Sequence, residues 1–147
     1  MGLKGKLIAS MEVRCGGHSV HDMFHTNIHH IRNISPKLIN HFEIHEGEVG
    51  KIGAVLCWKY IDDGKEKFLK EEIKNIDPQK KSITWEVIEG DVLELYNFFT
   101  IITSNEHQWT TVTFEYEKKT EDTPEPLSFL DYFINVTKDI EGHLLSK

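Results

Sequence analysis

The run LSFLDYFINVTKDIEGHLL, Leu127–Leu145, sets the architecture more firmly than any other stretch. Phe129, Phe133, Val136, Ile140 and Leu144 are separated by 4, 3, 4 and 4 residues, a spacing that places them on one face of an α-helix. Leu130, Ile134 and Thr137 widen that face, and the run is about five turns long. Gly142 weakens its last turn. Immediately upstream, Asp122-Thr123-Pro124-Glu125-Pro126 reads as a loop, because proline removes a backbone donor and presets its own φ. A helix with so broad an apolar face needs a broad surface to lie on.

That surface lies in the middle of the chain. From Leu38 to about Lys118 the punctuation is that of successive hairpins, with turns expected at Glu46–Gly53, Asp62-Asp63-Gly64, Asp77-Pro78-Gln79, Glu89-Gly90-Asp91 and Ser104-Asn105-Glu106. The runs between them alternate. Ile83, Trp85 and Val87 share one face, as do Val112, Phe114 and Tyr116, with Thr111, Thr113 and Glu115 opposite. This is antiparallel sheet with one dry face and one wet face. The face of 93–103 stays ambiguous: Tyr96, Phe98 and Ile102 compete with Leu95, Phe99 and Ile101, and Phe98 and Phe99 cannot both point inward.

Toward the N-terminus, residues 3–14 alternate loosely through Leu3, Leu7, Ala9, Met11 and Val13 and stop at Gly16-Gly17, as a strand would. Val20, Phe24, Ile28 and Ile31 then follow a helical spacing up to Pro36. This stretch fits one kinked helix or two short ones, and the Thr26-Asn27 interruption favours two. The whole predicts one α+β domain spanning 1–147. A curved antiparallel sheet of about seven strands carries the long C-terminal helix across its concave face, and short N-terminal helices close one end. A bent sheet gripping a helix leaves room for a central apolar pocket.

Composition bounds the function. The 147 residues carry 17 Lys plus Arg against 24 Asp plus Glu, a net charge of −7. That balance repels phosphate backbones and argues against a nucleic-acid partner. Two cysteines, Cys15 and Cys57, are too few for a disulfide scaffold and fit a reducing, cytoplasmic setting. No apolar run reaches the roughly 20 residues that span a bilayer. The first residues show no signal-peptide core, and Lys6 breaks the myristoylation pattern, so no integral membrane contact is expected.

Ordered motifs run along nearly the whole chain: Gly5-Lys6-Leu7, His21-Asp22-Met23-Phe24, and His29-His30-Ile31-Arg32-Asn33-Ile34-Ser35-Pro36. His45-Glu46-Gly47, Gly50 and Gly53 follow, then Asp63-Gly64-Lys65, Lys81-Ser82-Ile83-Thr84 and Val87-Ile88-Glu89-Gly90-Asp91. Glu115-Tyr116-Glu117-Lys118, Glu121–Pro126, Val136–Ile140 and His143-Leu144-Leu145 complete the set. In this order and spacing the sequence resembles the plant major latex proteins of the Bet v I superfamily, which also holds the pathogenesis-related class ten proteins. The resemblance implies the helix-grip fold: seven antiparallel strands, a V of two short helices and a long C-terminal helix over a hydrophobic cavity. It also implies binding of small hydrophobes and a link to plant defence or stress. Val49 departs from the family, which often has an aromatic residue before the second glycine of this loop.

Other chemistry is less well supported by the residues. The glycine-rich 46–53 loop lacks the Gly-Lys-Ser/Thr and the following helix of a phosphate cradle. His21, His25 and His29 recur every four residues without an HExxH pattern, and they are expected to form a solvent-facing or rim cluster rather than a metal site. No nucleophile elbow occurs, and Cys57 reads as a packed strand residue. No cofactor is implied.

For a cavity, alternation nominates Leu56, Trp58 and Tyr60, then Ile83, Trp85 and Val87, then Phe99 and Ile101, then Val112, Phe114 and Tyr116. The long helix adds Phe129, Leu130, Phe133, Ile134, Thr137 and Ile140, while Phe24 and Ile28 stand at the mouth. Tyr60, Tyr116, Thr137 and the indole N–H of Trp85 are the expected polar handles. A steroid-sized guest burying about 400 Å² gains roughly 10 kcal/mol, less about 4 kcal/mol for ordering, which puts its affinity in the micromolar region. The leading expectation is a non-catalytic carrier of small hydrophobic plant metabolites of steroid, hormone, flavonoid or alkaloid type, acting as a monomer or weak dimer. The alternative is an isomerase or cyclase of specialised metabolites that uses Tyr60, Tyr96, Tyr116 or a rim histidine in the same pocket. A third is a storage protein with a collapsed interior.

Overall fold

A computed structural model describes residues 3–146. Seven strands form one antiparallel sheet: β1 (Lys4–Glu12), β2 (Ile39–Glu46), β3 (Val55–Asp62), β4 (Lys65–Asp77), β5 (Ser82–Gly90), β6 (Tyr96–Glu106) and β7 (Trp109–Lys118). Their order is β1-β7-β6-β5-β4-β3-β2, so β2 to β7 form a meander and β1 caps its far edge. Between β1 and β2 run α1 (Gly17–Phe24), a 3₁₀ turn (Ile28–His30) and the single-turn α2 (Ile31–Ile34). These short helices are the interrupted pair that Thr26-Asn27 suggests. The final helix, α3 (Leu127–Leu145), has the bounds its periodicity sets.

Alternation in the strands becomes a continuous dry face through the register. Leu7 pairs with Phe114, Phe114 with Ile101, Ile101 with Trp85, and Trp85 with Ile73, so one row of apolar side chains crosses five strands. α3 lays Phe129, Leu130, Tyr132, Val136, Thr137 and Ile140 onto that face. Each large apolar side chain so buried contributes about 1.5–3 kcal/mol.

Irregularities in the ladder occur in β2, β4, β5 and β6. Such bulges bend the strand and raise its twist, which suits a sheet curling around a helix. One of them resolves the ambiguous face of β6. Tyr96 pairs with Lys118 and Phe98 with Glu117, so Asn97 is the extra residue. Tyr96 and Phe99, three apart, therefore both point inward, while Leu95 and Phe98 are exposed. Neither simple alternation is right along the whole segment.

The last hairpin turn differs from expectation. Strand pairing continues through Ser104, Asn105 and Glu106, and the reversal falls at His107-Gln108. Asn105 is buried. Its amide donates to the Lys81 carbonyl at 3.2 Å and its oxygen accepts from the Thr110 hydroxyl at 2.7 Å. Its polar groups therefore bind neighbouring segments instead of closing a turn. At Gly90, φ is +136° and a Cβ would run into the Phe68 carbonyl, so only glycine lets β5 end against β4.

Candidate functional site

The inner face of the sheet, the short helices and α3 meet around a small apolar cavity. Its walls are Phe24, Ile28 and Ile31 from the short helices, Ile39, Trp58, Leu69, Glu71 and Trp85 from the strands, and Tyr132, Phe133 and Val136 from α3. The free volume is about 30 Å³. A drug-sized guest occupies a pocket of about 300 Å³ or more, so these walls must part to admit one. Phe24 meets Trp85 edge-on at 6.2 Å, and Phe42 packs on Trp58 at 4.3 Å from outside the cavity wall.

Glu71 breaks the apolar lining. It lies on β4 between Leu69 and Ile73, opposite Leu56 on β3 and Val87 on β5. The indole N–H of Trp58 donates to its Oε2 at 2.8 Å, while Oε1 has no partner. Burial pushes its carboxyl up to about 8, although the Trp58 bond favours the ionised form. At neutral pH this group mostly holds its proton. The Trp85 indole N–H is also buried without a partner. Burial likewise raises the Tyr132 hydroxyl, with smaller contributions from Tyr60 and the acidic groups of Glu71 and Asp62. The wall therefore presents proton donors and no group poised as a base.

Of the residues that sequence alternation nominates, Phe24, Ile28, Trp58, Trp85 and Phe133 stand in the cavity wall. Leu56, Ile83, Val87, Ile101, Val112, Leu130, Thr137 and Ile140 are buried in the surrounding core, and Ile134 is half-buried beside it. Tyr60, Phe99, Phe114, Tyr116 and Phe129 fill the other end of the interior with one another. Phe99 lies 5.0 Å from Phe114 and 5.5 Å from Phe129, and Tyr60 lies 5.5 Å from Phe129.

The expected polar handles have different surroundings. The Thr137 hydroxyl donates to the Phe133 carbonyl at 2.8 Å, so its proton is engaged within α3. The Tyr116 hydroxyl donates to Glu125, which Lys118 also holds at 2.8 Å. Tyr60 is buried with an unpartnered hydroxyl, close to Tyr132. Burial pushes Tyr96 up to about 12, and its hydroxyl donates to the Pro124 carbonyl. Only the Trp85 N–H both lacks a partner and belongs to a wall residue of the cavity.

Glu71, Tyr132, Ile31, Ile39, Leu69 and Val136 complete the wall, and alternation nominates none of them. Glu71 shares strand parity with Leu69 and Ile73, which is its one inward signal. At the rim, His25 Nε2 lies 3.0 Å from the Gly50 carbonyl and ties the 46–53 loop to the end of α1, while Val49 packs against the core. Among the described residues no group of three or more His, Cys, Asp or Glu side chains is placed to hold a metal ion.

The model of the pathogenesis-related protein Bet v 1 family matches residues 2–147. MLP-like protein 31 of Arabidopsis thaliana is 37% identical over 151 residues, covering 99% of this chain and 88% of that protein. The crystal structure of major latex-like protein 151 from Panax ginseng has a TM-score of 0.93 at 39% identity, covering 98% of this chain and 99% of that one. Norcoclaurine synthase of Thalictrum flavum, solved with dopamine and hydroxybenzaldehyde, has a TM-score of 0.79. At 17% identity, over 97% of this chain and 87% of that one, the likeness is of fold alone.

Proposed function

This chain belongs to the Bet v 1 family, and from that membership we propose that it binds and carries small hydrophobic plant metabolites without changing them. The carrying observation is the cavity itself. It is apolar, it lies where the sheet, the short helices and α3 meet, and it holds an acid with no partner base. Binding would spread the short helices from α3, enlarging the space beside Tyr132 and Phe133. The polar tie between these parts is slender: the Ser35 hydroxyl at the end of α2 donates to Asp139 on α3 at 2.5 Å. The proposed setting is the cytoplasm, in line with the two free cysteines and the excess of negative charge. A monomer or weak dimer suffices, and a link to defence or stress accords with the family's description.

A second reading has one observation in its favour. A protonated carboxyl in an apolar pocket is a general acid, and isomerisation or cyclisation of a metabolite uses such a group. Native mass spectrometry and fluorescence titration with a panel of steroids, flavonoids and alkaloids distinguish the two readings when the recovered ligand is also analysed. Unchanged ligand supports the carrier. Turnover that Glu71→Gln abolishes supports the enzyme and overturns the carrier.

A further inference from the structure

We infer that the pocket prefers hydrophobic amines, with Glu71 as the anchor for the ammonium group and the rings of Phe24, Trp58, Trp85 and Tyr132 as its walls. This rests on the carrier reading and specifies its ligand class. The first ground is the Glu71 carboxyl, 5% exposed as a residue and set in the cavity wall, whose Oε1 is left without a partner. A buried polar atom in that state costs stability and is repaid by a guest that supplies a donor. Among the described residues no lysine or arginine lines the cavity to do so. Lys67, on the same strand, pairs with Asp62 at 3.3 Å.

The second ground is the lining. Aromatic faces carry negative potential, so a cation among them is attracted and an anion repelled. A carboxyl in a wall that also holds Phe24, Trp58, Trp85 and Tyr132 is therefore matched to an ammonium. A neutral hydroxyl would satisfy Oε1 but gain nothing from the rings. A carboxylate guest would accept from Glu71 and from the Trp85 N–H, but would bury its charge with no cation in the wall. When the amine enters, the Glu71 proton leaves to solvent and the carboxylate pairs with the ammonium, so the complex is neutral overall. The excess of acidic residues also draws cations toward the molecule.

The test is isothermal calorimetry of the whole chain with three matched probes, naphthylethylamine, naphthylethanol and naphthylacetate, at neutral pH and moderate salt. The expected order is amine, alcohol, carboxylate, with the amine tighter than the alcohol by about tenfold or more. In Glu71→Gln the amine should lose that advantage and bind no tighter than the alcohol, and saturable binding of the alcohol shows that the variant is folded. Equal affinity of amine and alcohol for the unsubstituted chain overturns the inference and leaves the carrier reading intact. So does tightest binding of the carboxylate. An amine preference that survives Glu71→Gln, or that fades with salt, assigns the effect to surface charge and overturns it as well. If none of the probes binds, the carrier reading falls and the amine preference falls with it.

Discussion

The two ends of the interior under α3 are built from the same sheet and helix, yet they differ in how completely they are filled. Around Phe129 the rings of Tyr60, Phe99, Phe114 and Tyr116 occupy the space between the layers, with centroid spacings of 5.0–5.8 Å along the Phe99 and Phe129 contacts. Tyr96 there reaches Pro124 and Tyr116 reaches Glu125, while the Tyr60 hydroxyl has no partner. One turn further along, around Tyr132 and Val136, packing gives way to a cavity with an unpartnered carboxyl oxygen and indole N–H. An unmet buried polar group costs about 1–3 kcal/mol. The filled end therefore anchors the helix, while the other end leaves polar groups unmet beside a small cavity.

This contrast is testable by substitution. Phe129→Ala at the filled end should cost about 3–5 kcal/mol in guanidinium unfolding, because the surrounding rings cannot collapse into the hole. A cost under about 1 kcal/mol would show that this end is loosely packed too.

The next effect is pH-dependent. Glu71 is protonated in the folded chain up to about 8, against an ordinary carboxyl value of 4.5. Between these values the unfolded chain has released a proton that the folded chain keeps, so stability falls as pH rises. Relative to Glu71→Gln, the unsubstituted chain should lose up to about 1.4 kcal/mol per pH unit across that window. The contribution is fully present below about pH 4.5. A pH-independent gap between the two proteins would place an ionised carboxylate in the pocket.

Smaller changes separate the ends further. Ser35→Ala removes the tie from α2 to Asp139 and should cost about 1 kcal/mol. It should also speed the association of a hydrophobic guest in stopped-flow fluorescence, since the tie joins α2, which carries the wall residue Ile31, to α3. Unchanged association would mean that entry lies elsewhere. Tyr60→Phe deletes a hydroxyl that has no partner, and stability should stay within about 1 kcal/mol of the original or rise slightly. A larger loss in thermal unfolding would reveal a bond to that hydroxyl.

Much of this was legible from residue order. The period of Leu127–Leu145 gives α3 and its buried stripe, and alternation around Trp85 and Phe114 gives the concave face. What escaped has local physical causes. The bulge at Asn97 reverses the parity of β6, so Tyr96 and Phe99 join one face against the two-residue rule. Tyr132 sits beside Phe133 at the edge of the helical stripe, and curvature of the sheet around α3 brings it in. Glu71 stands in the charged run Lys70-Glu71-Glu72, where a carboxylate reads as solvated. Only the parity it shares with Leu69 and Ile73 marks it as inward. The division of the apolar face into filled core and cavity is a matter of side-chain volumes meeting across layers, which no single strand pattern contains.

The three tryptophans offer the most direct test of the central claim. Trp58 and Trp85 stand in the cavity wall, whereas Trp109 is 49% exposed at the start of β7. In a ¹⁵N-resolved NMR titration with naphthylethanol, the indole N–H signals of Trp58 and Trp85 should shift saturably while that of Trp109 stays in place. No saturable shift of either buried indole, or movement of Trp109 alone, would contradict the account of an interior that opens to a guest.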